Sequence, residues 1–271
     1  MGFTSRLLAA VALLDMVTPR MQAALFFRRG AGGPRGSNIA LRRRVHVNTL
    51  ITEPGTAEVE WSHLYSLTTT NYAMPSTIKY TPEGRHILWG RTEFSAAFDS
   101  IDNSETAGER STQFSDRLTF AANSVLFDGE KLDIAVQPLV TFFLRDESGA
   151  RIGATAIARY DAGRNSTGVT ASWSAATVSS PTNPAGTFDL GFGFGRRLMP
   201  SGFLGHFTPH VNAVWEKSTG VERMVSVFEG VEYQITEKVA LDFSGQHFSL
   251  IGGTPDHQIV IGLTVNLGKL R

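Results

Sequence analysis

The sequence from residue 256 to residue 267 reads Asp256-His257-Gln258-Ile259-Val260-Ile261-Gly262-Leu263-Thr264-Val265-Asn266-Leu267. Every second residue from Ile259 to Leu267 is a large aliphatic residue, and the residues between them are small or polar apart from Val260. Successive side chains of a β-strand point to opposite faces, so the alternation predicts a strand with one apolar face and one mostly polar face. A soluble sheet can show the same pattern, and its recurrence along the chain therefore decides the fold class.

The alternation recurs from residue 56 onward and predicts about twelve strands, which begin and end near residues 56–66, 74–82, 86–98, 114–127, 131–145, 150–161, 165–178, 186–197, 203–216, 222–235, 238–250 and 256–268. Many of these segments reach the about 9–11 residues with which a tilted strand spans a bilayer. A soluble β-sandwich would instead have strands of about 5–6 residues. An even number of long antiparallel strands predicts an all-β fold, an up-and-down transmembrane β-barrel.

The connections between these strands alternate in length. Tight turns are predicted at 82–85, 128–130, 161–164, 199–202 and 236–238, where Gly, Pro and Asp cluster. Longer or more polar links are predicted at 99–112, 179–187, 216–223 and 252–256. Short turns on one side and longer loops on the other are typical of outer-membrane barrels. Pro138, inside a predicted strand, lacks a backbone donor and predicts a β-bulge there.

Composition excludes several other classes of protein. The chain has 271 residues and a formal net charge of zero, so no overall positive charge attracts it to nucleic acid. Because it has no cysteine, it has neither a disulfide framework nor a thiolate zinc site. Its longest apolar run, Leu7 to Leu14, is far shorter than the roughly 20 residues of a membrane-spanning helix. The length of apolar runs does not exclude a transmembrane β-barrel, because only alternate residues of its strands need be apolar.

The first 50 residues differ from the rest of the chain. Residues 1–23 have the layout of a signal peptide, with a charge at Arg6, an apolar run and a small-residue end. Residues 24–50 carry short Arg runs and glycines, which predicts a disordered basic linker at the start of the mature chain. The Arg runs could also form a nucleic-acid-binding arm, but nothing downstream supports such a partner. We assign residues 51–271 to the barrel domain.

Three groups of short motifs lie near the two ends of the predicted barrel. They are Ile51-Thr52-Glu53-Pro54-Gly55-Thr56-Ala57-Glu58-Val59-Glu60; Pro75-Ser76-Thr77-Ile78-Lys79-Tyr80 with Gly90-Arg91-Thr92-Glu93-Phe94; and Gly230-Val231-Glu232-Tyr233-Gln234-Ile235-Thr236 with Leu241-Asp242-Phe243 and Gly262-Leu263-Thr264-Val265-Asn266-Leu267. These motifs resemble those of the bacterial outer-membrane β-barrels known as the MetA-pathway of phenol degradation family. The resemblance covers residues 51–98 and 222–268 best and implies an outer-membrane channel for small, often aromatic or apolar, compounds.

One feature departs from this pattern. Outer-membrane barrels commonly end on an aromatic residue that the assembly machinery reads, whereas this sequence reads Gly268-Lys269-Leu270-Arg271. Recognition by that machinery would then depend on Leu267, or the native end is atypical.

The polar faces of the predicted strands would line the barrel lumen with charges of both signs in similar number. The candidate lumen residues are Glu60, Lys79, Arg91, Glu93, Arg117, Asp133, Arg145, Arg159, Asp189, Arg197, His206, His210, Glu216, Glu232 and Asp242. We rank Arg91, Glu93, Arg117 and Asp242 first as pore-lining residues. Such charges either neutralise one another and hold a narrow barrel in shape, or form a constriction that selects solutes. A barrel of about twelve strands predicts a partly plugged lumen.

Other chemistry is weaker in the sequence. His206 and His210 are four residues apart on a predicted strand, hence roughly 13 Å apart at ~3.3 Å per residue, too far to bind one metal ion. A hydrolase needs a nucleophile beside a base, and His247 with Ser249 shows no third orienting group. No motif implies a cofactor. An enzyme is therefore the least favoured interpretation, after a channel and a non-conducting structural barrel.

The predicted setting is the bacterial outer membrane. The expected partners are the lipid bilayer, small-molecule solutes and the outer-membrane assembly machinery, and we favour a monomer. Aromatic residues concentrate at the two membrane interfaces of such barrels. The candidates for these girdles are Trp61, Tyr65, Phe203, Trp215 and Tyr233.

Overall fold

Nearly all of the described chain forms antiparallel strands. The computed structural model describes residues 54–67, 72–83, 91–106, 109–113, 117–144, 149–179, 184–199, 201–251 and 256–269. The strands are β1 (Thr56–Ser66), β2 (Tyr72–Tyr80), β3 (Thr92–Thr106), β4 (Glu109–Gln113), β5 (Arg117–Asp128), β6 (Leu132–Phe143), β7 (Ala150–Ala162), β8 (Asn165–Ala176), β9 (Gly186–Arg196), β10 (Phe207–Ser218), β11 (Met224–Thr236), β12 (Val239–Ile251) and β13 (Asp256–Lys269). A 3₁₀-helix, η1 (Phe203–His206), precedes β10. The predicted signal peptide and basic linker lie outside the described residues.

The sheet closes on itself. Each strand pairs with its neighbours along the chain, and β1 pairs with β13, in a ladder that runs from Thr56 opposite Lys269 to Ser66 opposite Gln258. Since β4 pairs only with the far end of β3, the described strands form a closed barrel of twelve strands with a short hairpin extension. The predicted fold class is confirmed. No helix among the described residues is long and apolar enough to cross a membrane.

The barrel is apolar outside and polar inside. In β9, Phe188, Leu190 and Phe192 are exposed, whereas Asp189 between them is buried. The same alternation holds in β6, where Leu132, Ile134 and Phe142 of the predicted apolar face are exposed and Gln137 of the other face is buried. A soluble protein would bury these large side chains, since each fully buried one contributes about 1.5–3 kcal/mol. The outer surface is therefore suited to an apolar solvent.

The two ends of the barrel differ. At the end that we call the turn end, β5 and β6, β7 and β8, and β11 and β12 are joined by links of two or three residues. At the opposite end, the loop end, longer links join β8 to β9 and β10 to β11. The link from β9 to β10, residues 197–206, also lies at the turn end but is long, because it contains η1. Thr56 and Lys269 pair at the turn end, so β1 begins and β13 ends on the side of the tight turns, as the alternation of links predicted.

Three local predictions are wrong. Residues 99–112, predicted as a link, largely continue β3 and form β4, because backbone pairing needs no hydrophobic alternation. Pro138 causes no bulge. The pairing of β5 with β6 is interrupted opposite it, at Ala122 and Asn123, and resumes in the same register. The register shift in this ladder lies between Val125 and Phe127. The strand predicted from residue 203 begins at Phe207, after η1.

Aromatic clusters lie on the outer face near both ends. At the turn end, the ring centroids of Phe207 and Tyr233 are 4.7 Å apart, with Phe203 beside them. At the loop end, Tyr65 contacts Tyr72 at 5.1 Å, and Trp215 packs edge-on against Phe188. Four of the five predicted girdle residues therefore lie near an end. The fifth, Trp61, lies midway along β1.

Glycines on the inner face allow some strands to approach closely. A Cβ atom at Gly230 would lie 2.5 Å from Ser244 Cβ and 2.6 Å from Phe243 O. We expect Gly230→Ala to lower the free energy of unfolding by about 1–3 kcal/mol, the usual cost of overpacking. The control is Gly195→Ala, whose added Cβ would lie 3.7 Å from Thr208 Cγ2, an ordinary contact. Urea titration of both refolded variants measures the difference, and equal stability would contradict the close approach.

Candidate functional site

The inner face of the barrel carries the charged residues, and acids outnumber bases there. On the described strands the inward acids are Glu58, Glu60, Glu93, Asp133, Asp161, Asp189, Glu216, Glu232 and Asp242. The inward bases are Lys79, Arg117, Arg151 and Arg159, with His210 beside them. The predicted balance of signs is therefore not found on this part of the chain, whose inner face carries an excess of negative charge.

Lys79 joins two strands at the turn end. Its ammonium group donates a hydrogen bond to Glu58 Oε1 at 2.9 Å and another to Glu60 Oε1. Lys79 is only 4% exposed, and both carboxylates are largely shielded from solvent. A buried ammonium needs such partners because losing its hydration is costly. These three residues, which we call the Lys79 clamp, link β1 to β2 on the inner face, next to the pairing of β1 with β13 that closes the barrel.

A second ion pair lies at the turn end of β7. The Arg159 guanidinium donates to Asp161 Oδ2, from Nε at 2.8 Å and also from Nη2. Asp133 on β6 is the direct cross-strand neighbour of Arg159 and adds a further acid. Arg159 is 5% exposed, so this guanidinium is held against the wall between β6 and β8. In strand order the pair lies four strands from β2, which carries Lys79.

The wall of β10 to β12 adds a third charged group. His210 Nε2 lies 3.7 Å from Asp242 Oδ2, and Ser244 Oγ donates to Asp242 Oδ1 at 2.9 Å. Glu232 lies directly opposite Asp242 in the adjacent strand, and both are buried. Two neighbouring carboxylates repel each other, and a nearby imidazole or cation offsets that repulsion. The turn end therefore combines ion pairs with excess negative charge.

The loop end holds a hydrogen-bonded network around Arg151. Its guanidinium donates to Ser174 Oγ at 2.8 Å, to Pro184 O at 3.0 Å and to Thr187 Oγ1 at 2.5 Å. The Thr187 hydroxyl lies 2.8 Å from Ser218 Oγ, which donates to Glu216 Oε1 at 3.2 Å. These contacts tie β7, β8, β9 and β10 together across the inner face.

The structure places most predicted lumen residues on the inner face, with four exceptions. Arg91 lies in the turn before β3 and is exposed, and Arg197 lies in the link after β9. His206 is exposed in η1, and its ring contacts the outward-facing Tyr233, so it belongs to the outer rim. Its assignment to the lumen is wrong, because η1 takes residues 203–206 out of the strand alternation. Arg145 lies outside the described residues.

Sequence reasoning missed three inward charges: Glu58, Arg151 and Asp161. Each shares the face of a residue that was chosen, since Glu58 precedes Glu60 by two residues and Asp161 follows Arg159 by two. Arg151 stands at the same parity as Arg159 in β7. The alternation of faces along each strand, followed to the ends of the strands, would therefore have identified all three residues.

A polar cluster also lies on the outer face near the loop end. His247 Nε2 lies 2.6 Å from Glu229 Oε1, and His247 Nδ1 lies 2.8 Å from His257 Nδ1. Glu229 and His257 bind opposite sides of the His247 ring, so these residues do not converge on one metal ion. No group of three or more metal-ligating side chains within the described ranges could hold a metal ion. The side chain of Ser249, the candidate nucleophile, lies outside the described residues.

Solved structures share this architecture. The NanC porin matches with a TM-score of 0.56 at 8% identity, over 76% of this chain and 98% of its own. The KdgM porin matches with a TM-score of 0.54 at 10% identity, over 77% and 98%. The COG4313 outer membrane channel from Pseudomonas putida F1 matches with a TM-score of 0.54 at 9% identity, over 80% and 97%. At these identities the similarity shows the fold, a β-barrel of the kind that outer-membrane porins and channels have.

No protein-family model matches this sequence, and no curated protein matches it either. The resemblance to the MetA-pathway of phenol degradation family therefore stays a hypothesis.

Proposed function

We propose that this chain is a bacterial outer-membrane channel through which small solutes pass passively. The observation that carries the proposal is the inside-out distribution of side chains in a closed barrel, with large apolar residues outside and charged residues inside. In lipid, a closed barrel satisfies every backbone hydrogen bond between strands and leaves no exposed edge. The structural likeness to porins and to an outer membrane channel supports the same interpretation.

The solute is small. The lumen of a twelve-stranded barrel is intermediate in width between those of small filled barrels and wide porins. The Lys79 clamp and the Arg159–Asp161 pair lie on its inner face at the turn end. The resemblance to the phenol-degradation family suggests aromatic or apolar compounds as a substrate class. Such a compound would need a polar or charged group to match the inner face, because unpaired buried carboxylates and hydroxyls would otherwise lose their hydration.

A non-conducting structural barrel is the second candidate. The ion pairs at the turn end favour it, because mutually neutralised charges can hold a narrow barrel in shape without admitting a solute. The two functions differ in one measurable property, the passage of ions through the lumen.

Single-channel recording of the refolded protein in planar bilayers tests the proposal. We expect discrete conductance steps, and Asn212→Tyr should reduce them severalfold. Asn212 faces inward midway along β10, opposite Gly193, where a bulky ring would obstruct the lumen. The matched control is Ala213→Tyr, the same substitution at the next residue, which is exposed on the outer face.

The outcomes separate the candidates. Steps that shrink in Asn212→Tyr but not in Ala213→Tyr place the conducting path inside the barrel. A protein that folds, as judged by heat-modifiable migration in gels, but gives no steps above the detergent control is a structural barrel. Equal steps in all three proteins would contradict conduction through this lumen.

A further inference from the structure

Asp189 and Glu216 form a pair of carboxylates on the inner face near the loop end. They are direct cross-strand neighbours in β9 and β10, so their Cβ atoms are about 4.5–5.5 Å apart. Asp189 is 2% exposed, and its Oδ1 atom has no hydrogen-bond partner among the described residues. Like charges directly opposite each other are destabilising unless a cation or a proton lies between them. The pair therefore needs a cation or a proton beside it, and a solute cation can supply the positive charge.

One base, Arg151, attracts both carboxylates electrostatically and offsets part of their repulsion. Three hydrogen bonds of its guanidinium go to neutral acceptors, which are Ser174 Oγ, Pro184 O and Thr187 Oγ1. Glu216 is oriented from the other side by the Ser218 hydroxyl. The network thus holds the surrounding side chains in place, while Asp189 Oδ1 accepts no hydrogen bond from the described residues. Two acids against one base leave the local charge negative.

We propose that Asp189 and Glu216 form a binding subsite for the ammonium group of small organic cations within the lumen. An ammonium group has three donors and no acceptor, which suits two adjacent carboxylates. Gly191 and Gly193 follow Asp189 along the inner face of β9, and without side chains they present a flat backbone surface to the organic part of the solute. The subsite rests on the proposed channel function and gives that channel its substrate class.

Calorimetric titration tests binding directly. Refolded protein in detergent micelles is titrated with 1,4-diaminobutane at neutral pH. We expect Asp189→Asn with Glu216→Gln to weaken binding by about tenfold or more, since each removes a charge-assisted hydrogen bond. The control is Glu229→Gln, which removes one carboxylate charge from the outer face and matches each single substitution. Asp189→Asn alone is a second variant in case the double variant does not fold.

The selectivity of the channel is measured in the same preparations, from the reversal potential in a KCl gradient. We expect the wild type to prefer K⁺ over Cl⁻, the double variant to lose part of that preference, and Glu229→Gln to retain it. Absence of binding to the wild type, or equal binding to wild type and double variant, overturns the subsite even if channels conduct. Binding that depends on both carboxylates without any conductance leaves the subsite standing and rejects the channel.

Discussion

Replacing Lys79 by Met should lower the free energy of unfolding by about 3–5 kcal/mol, the typical cost of removing one partner from a buried ion pair. Lys79 is 4% exposed and is bonded to both Glu58 and Glu60. Without the ammonium group, the carboxylates of Glu58 and Glu60 stay close together on the inner face of β1, beside β2. Urea titration of the protein refolded into lipid vesicles, followed by tryptophan fluorescence, measures the loss.

Two controls make the result specific. Lys269→Met removes an exposed ammonium group 3.0 Å from Glu83, and an exposed pair of this kind contributes about 0–1 kcal/mol. Combining Lys79→Met with Glu58→Gln and Glu60→Gln removes the uncompensated charges and should recover most of the lost stability. If Lys79→Met cost no more than Lys269→Met, or if the triple variant were no more stable than the single one, the clamp would not be a buried charge pair.

The orientation of the strands could be predicted because one physical signal controls it. A strand that separates lipid from a polar lumen needs a different solvent on each face, so its sequence alternates, as β6 and β9 do. The period of two therefore assigned Asp189, Glu232 and Asp242 to the inner face without any knowledge of their contacts. The tight turns fixed the polarity of the barrel for the same local reason.

The predictions failed where the alternation ends. The far part of β3 and β4 are polar on both faces, so their pairing depends on backbone hydrogen bonds that leave no mark in the sequence. His206 and Arg91 lie one step outside a strand, where parity no longer determines direction. The sequence also could not predict which side chains bond to one another. The hydrogen bonds of Arg151 to Thr187 and to Pro184, for example, depend on the register of three strands.

Placing an arginine at Phe192 should lower the free energy of unfolding in lipid by about 2–4 kcal/mol, the cost of a charged residue at the midplane of a bilayer on the outer face of a barrel. Phe192 lies near the middle of β9 and is 52% exposed, with Val169 and Ala213 beside it on the neighbouring strands. A guanidinium there would face hydrocarbon without a partner. Urea titration in vesicles measures the cost, and the yield of folded protein should fall with it.

The position of the charge along the strand provides the decisive comparison. Ile235 is also exposed on the outer face, but it lies one residue from the turn end of β11. Near an interface the same substitution costs only about 0–1 kcal/mol, because a long side chain reaches the headgroups and water. A large loss for Phe192→Arg beside a small one for Ile235→Arg would locate the bilayer midplane at the middle of β9. Similar losses at both positions would mean that the apolar band is not centred there, and no loss at Phe192 would mean that this face does not contact lipid.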